Sequence, residues 1–62
     1  MSKFKLSEKA AGYYKAHAEV FGKFPYGEPV REWTDHNGYI CIQYEKGNYF
    51  HYKQSGSSVV WW

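Results

Sequence analysis

A chain of 62 residues with a net charge of +2 is read as one domain, residues 1–62, that buries only about 60% of the surface its unfolded form exposes. Its single cysteine, Cys41, excludes an internal disulfide, and no Cys/His cluster has the spacing of a zinc site, so neither common staple of a small domain is expected. Four Phe, seven Tyr and three Trp take their place, because each aromatic ring can bury roughly 150–250 Å².

The first predicted element is a helix over residues 7–21. Ser7 has the hydroxyl of a good N-cap, and Glu8 places a negative charge in the first turn, where the helix dipole favours it. Leu6, Ala10, Tyr13, Tyr14, His17, Val20 and Phe21 recur at steps of three and four, as on one helix face. Gly22 suits the position after the last turn, and Pro25 prevents continuation. Residues 22–29 form a connector, since two Pro and two Gly in eight residues exclude regular structure. Phe24 and Tyr26 are large for a loop and are expected against the core.

Strands are predicted over residues 30–35, 39–45, 48–54 and 59–62. Asn37-Gly38 reads as a two-residue type I′ turn, which sets Trp33 opposite Ile42 and Arg31 opposite Tyr44. The next turn is decided by the apolar pattern. A two-residue Lys46-Gly47 loop would send His51 and Lys53 into the core. A three-residue Glu45-Lys46-Gly47 loop with a left-handed Gly47 sets Phe50 opposite Ile42 and Tyr52 opposite Ile40. The bulged turn is therefore expected. Ser55-Gly56-Ser57-Ser58 reads as the last loop, and Val59 to Trp62 as a short fourth strand.

The fold class that follows is α+β, one N-terminal helix on one face of a three- to four-stranded antiparallel meander. Trp33, Ile40, Ile42, Phe50 and Tyr52 are expected beneath the helix, with Val59 or Val60 and the Trp two residues beyond. Glu32, Thr34, Tyr39, Cys41, Gln43, Tyr49, His51 and Lys53 are expected on the other face, which no second helix covers. An antiparallel sheet can leave such a face in water. Tyr, His, Lys and Gln together also offer flat area and hydrogen bonds to a partner.

Catalysis is not expected. Cys41 and His51 fall opposite each other, but a nucleophilic pair needs an orienting third group, an oxyanion site and a cleft. His17 reads as a structural histidine on the apolar stripe, and no metal or other cofactor is expected. Glu32 and Asp35 point to opposite faces. Lysines 3, 5, 9, 15 and 23 against Glu8 and Glu19 give residues 1–23 a charge of +3, and the rest of the chain carries −1. Lys5, Lys9 and Lys15 could contact phosphates, although they are read first as a solvated helix surface.

Of Trp61 and Trp62, strand geometry turns one inward and one outward. An exposed Trp marks an interface, so Trp62 joins Tyr39, Gln43, Tyr49, His51 and Lys53 as the expected contact set. The partner is expected to be another protein, with a homodimer as one form, and nucleic acid is the alternative. In size and Tyr/Trp content the chain resembles the short stand-alone proteins of phages and mobile elements. That resemblance implies action by binding, or inhibiting, another macromolecule. No signal-length or membrane-length apolar run is present, and a lone thiol suits a reducing compartment, so a cytoplasmic location is expected.

Overall fold

The computed structural model describes residues 4–62; Lys3 of the basic N-terminal segment lies outside them. Helix α1 (Glu8–Phe21) is followed by strands β1 (Pro29–Thr34), β2 (Ile40–Tyr44), β3 (Tyr49–Ser55) and β4 (Ser58–Trp61). The strands form one antiparallel sheet in the order β1-β2-β3-β4, with α1 against one face, so the α+β meander holds. No helix among the described residues is long and apolar enough to cross a membrane.

Ser7 caps α1 by accepting from the Ala10 amide. Gly22 ends it at φ 73°, in the left-handed region that glycine enters without strain. Val20, expected on the buried stripe, is instead 68% exposed. It lies at the margin of the apolar arc, in the last turn of the helix.

The second turn has the expected bulged form. Gly47 sits at φ 98°, and Ile42 pairs with Phe50 and Ile40 with Tyr52. The last turn is tighter than the four-residue reading: Ser55 pairs with Ser58, leaving only Gly56-Ser57 as the loop.

The first turn corrects the sequence reading. Asp35 donates its amide to the Tyr39 carbonyl, and Gly38 donates to the Asp35 carbonyl. The loop is thus three residues, His36-Asn37-Gly38. Only Gly38, at φ 88°, has positive φ there, so this is not a type I′ turn. The Asp35 carboxylate stabilises the alternative by accepting from the Asn37 and Tyr39 amides.

One extra loop residue slips β1 by one position and reverses its faces. Trp33 pairs with Cys41, not Ile42, and Arg31 pairs with Gln43, not Tyr44. Trp33 therefore leaves the core face, while Glu32 and Thr34 leave the open face. Val30 is the odd residue of a bulge that restores Pro29 opposite Tyr44. On the helix side, the Glu32 carboxylate accepts from the Ser7 amide at 2.9 Å and the Ser7 hydroxyl at 2.8 Å. This ties the start of α1 to β1.

The core is aromatic. Ala10, Tyr13, Ile42, Tyr44 and Tyr52 are buried, and Phe24 and Tyr26 pack against them from the connector as expected. Tyr13 stacks on Tyr52 at 5.8 Å. Trp61 is the inward tryptophan and stacks on His17 at 4.2 Å. His17 is 1% exposed and its Nδ1 lies 2.7 Å from the Tyr52 hydroxyl, which is 2.6 Å from that of Tyr44.

Candidate functional site

The sheet face away from α1 carries a row of rings. Alternation along β2, β3 and β4 places Tyr39, Cys41, Gln43, Tyr49, His51, Lys53, Val60 and Trp62 there, and the slip of β1 adds Arg31 and Trp33. The Arg31 guanidinium lies 5.1 Å over the Trp33 ring. Trp33 is 5.7 Å from Tyr49, and Tyr49 is 5.8 Å from His51. His51 stacks on Trp62 at 5.2 Å with planes 7° apart. Trp62 meets Tyr39 edge-on at 5.1 Å, and the Lys53 ammonium lies 5.9 Å over Tyr39. Five rings thus run in continuous contact with a cation at each end.

The row is presented to solvent unevenly. Tyr49 and Trp62 are 54% and 51% exposed, while Trp33, Tyr39 and His51 are half-buried. Gln43 is half-buried and donates to the Gly47 carbonyl. Cys41, expected on an open surface, is fully buried. Its register neighbours are Trp33 and His51, whose wide side chains flank the small thiol.

Beside the row, Asp35, Cys41 and His51 bring one donor atom each within 4.8 Å of one another. His51 Nε2 is 3.7 Å from Asp35 Oδ2, and His51 Nδ1 is 3.4 Å from the Trp62 carbonyl. Burial pulls the Asp35 carboxyl upward, but the amide hydrogen bonds from Tyr39 and Asn37 and the charges of His51 and His36 outweigh it, so its pKa is lowered. Burial, with the nearby Asp35 charge, pushes the Cys41 thiol up. Cys41 and His51 thus gain the third group that the sequence reading did not provide. Asp35 Oδ2 addresses Nε2 of the His51 ring, while Nδ1 faces the Trp62 carbonyl.

The structure brings together five of the six expected contact residues, Tyr39, Tyr49, His51, Lys53 and Trp62, and leaves Gln43 at the row's flank. Arg31, Trp33 and Asp35 were missed. Their signal was an Asp three residues before a Gly, the mark of a type I turn with a following left-handed residue. Lys5, Lys9 and Lys15 are exposed on or before α1, across the sheet from the rings, so the two nucleic-acid readings do not merge into one site.

The chain matches no family model, no curated protein and no solved structure.

Proposed function

We propose that this chain is a protein-binding module that engages another protein through the row from Arg31 to Lys53. The observation that carries the reading is the row itself: Trp, Tyr and Arg, the side chains that dominate interface hot spots, in mutual contact and half-exposed. Because the rings already hold one another, little side-chain freedom is lost on binding. Arg31 and Lys53 at the two ends favour a partner with acceptor groups flanking an apolar centre. Covering a working surface of that partner would make the chain an inhibitor, and a second copy of the chain is one candidate partner.

The cations at the ends of the row also favour a second reading, single-stranded nucleic acid stacked on the rings. The packing argues for protein. Arg31, Lys53 and His51 each already lie on a ring face that a base would need.

The test compares the immobilised chain with its Tyr49→Ala/Trp62→Ala variant in an extract of the source cells, with and without nuclease. The expected result is a protein retained by the parent, reduced about tenfold or more by the variant, and indifferent to nuclease. The variant's thermal midpoint stays nearly unchanged. Equal retention by both forms overturns the reading. Retention lost on nuclease treatment, with salt-sensitive binding of a single-stranded oligonucleotide, establishes the second reading in its place.

A further inference from the structure

Three side chains on separate elements converge at the base of β1 and the middle of β2 and β3. Asp35 opens the first turn, Cys41 lies in β2, and His51 is its partner in β3. They supply oxygen, sulfur and nitrogen, and their donor atoms lie within 4.8 Å of one another. Ligands around a tetrahedral ion with bonds of about 2.0–2.3 Å stand roughly 3.3–3.8 Å apart. The 3.7 Å between His51 Nε2 and Asp35 Oδ2 falls in that range, and is too long for a good hydrogen bond.

Two of the three donors are aimed by their other atoms. Asp35 Oδ1 accepts from the Asn37 and Tyr39 amides at 2.9 and 3.0 Å, which turns Oδ2 toward His51. The Trp62 carbonyl lies 3.4 Å from His51 Nδ1, and stacking on Trp62 fixes the ring plane. A carbonyl can only accept, so in the neutral ring it favours hydrogen on Nδ1 and a lone pair on Nε2. That lone pair faces a carboxylate oxygen at 3.7 Å, a gap that either a second proton on the ring or a bound cation fills. Backbone groups that orient an imidazole and a carboxylate in this way are the usual outer support of metal ligands.

We propose that Asp35 Oδ2, Cys41 Sγ and His51 Nε2 form a binding site for a borderline-soft divalent cation of the Zn²⁺ type. The mixed O, S and N donors suit that ion over Mg²⁺ or Ca²⁺, which take oxygen. Binding forms the three metal–ligand bonds and breaks the Cys41 S–H bond, whose proton leaves to solvent. The fourth position is taken by water. The Asp35 and His51 side chains keep 15% and 27% exposure, so two of the three ligands reach solvent. The site needs no second molecule and stands whether or not the aromatic row binds a protein. Spacing motifs miss it because the donors meet through strand register, not through a short loop.

The experiment titrates the reduced, tag-free chain with Co²⁺. The expected result is a near-ultraviolet thiolate-to-cobalt charge-transfer band, with the strong visible bands of tetrahedral Co²⁺, saturating at one equivalent and displaced by Zn²⁺. Cys41→Ser removes the charge-transfer band, and His51→Gln and Asp35→Asn each weaken binding by about tenfold or more. A second measurement needs no variant: Zn²⁺ raises the thermal midpoint of the parent chain, and a chelator reverses the rise. Absence of the band at excess Co²⁺ overturns the proposal and leaves Asp35 and His51 as a simple ion pair. Equal saturation in His51→Gln and Asp35→Asn also overturns it, because a lone thiol then does the binding. An unchanged midpoint in Zn²⁺ overturns it as well.

Discussion

His17 is a titratable ring enclosed by Phe21, Phe24, Tyr26, Phe50, Tyr52 and Trp61, and its hydrogen bond decides its protonation. Tyr52 touches both His17 Nδ1 and the Tyr44 hydroxyl. If Tyr44 donates to Tyr52, and Tyr52 to Nδ1, both hydroxyl protons are used and the neutral ring carries its hydrogen on Nε2. A protonated ring would have to donate from Nδ1. That reverses the chain and strands the Tyr44 proton in the core. Burial pushes the Tyr44 hydroxyl up to about 12, and burial with the Tyr44 hydrogen bond pushes Tyr52 up further, so both stay protonated across the neutral range. Burial lowers the His17 pKa below its ordinary 6.5. The unfolded chain therefore takes up a proton near 6.5 that the folded chain refuses until lower pH. The stability that His17 confers is complete above that value and falls as pH drops from it toward the folded pKa. Urea midpoints at about pH 7.5 and about pH 5.5 should show this loss in the parent chain, with a smaller pH slope in His17→Leu. An equal slope in both would place the acid sensitivity elsewhere.

At the scale of elements, the connector is held by its glycine. Gly27 has φ 82°, and a methyl group there would stand 2.7 Å from Glu45 Oε1 and 2.9 Å from Glu45 Cβ. The approach is that close because the connector pairs with the end of β2. Glu45 donates its amide to the Glu28 carbonyl, Lys46 donates to Tyr26, and the Glu45 carboxylate accepts from the Glu28 amide. Gly27→Ala should cost about 2 kcal/mol or more, combining left-handed strain with the clash, and denaturant unfolding measures it. Turns also set how much of the fold was legible. The helix could be read because cap, stripe and stop agreed. The second turn could be read because the wrong register buried Lys53. The first turn could not. Asn37-Gly38 serves a type I′ pair and a three-residue loop equally well, and Trp33 made the wrong register look well filled. What decided it was the Asp35 carboxylate on two amides, a pair of short-range hydrogen bonds that outweighed the apolar pattern of an edge strand.

Across the whole molecule, that slip by one residue also determined how much of the candidate site could be read. Tyr39, Tyr49, His51 and Lys53 were visible from strand alternation alone, but the row closes only when β1 turns outward, so that Trp33 meets Tyr49 and Arg31 lies over Trp33. The sheet then has aromatic clusters on both faces, one sealed under α1 and one half-exposed, and the last two tryptophans divide between them. Trp61 stacks on His17 and approaches Tyr52 inside the core. Trp62 stacks on His51 and meets Tyr39 outside it, although its backbone still pairs with His51 at 2.9 and 3.2 Å. A domain of this size has a total stability of about 3–9 kcal/mol. Removing the half-buried Trp61 ring should cost about 2–4 kcal/mol, a large share of that total. Trp61→Ala should therefore lower the thermal midpoint by about 10–25 °C. Trp62→Ala, which leaves the pairing and the core intact, should lower it by no more than about 5 °C. Scanning calorimetry of the two variants reads the difference directly. Similar losses in both would mean that the outer cluster is a second core, and that a partner would meet a surface already committed to holding the sheet together.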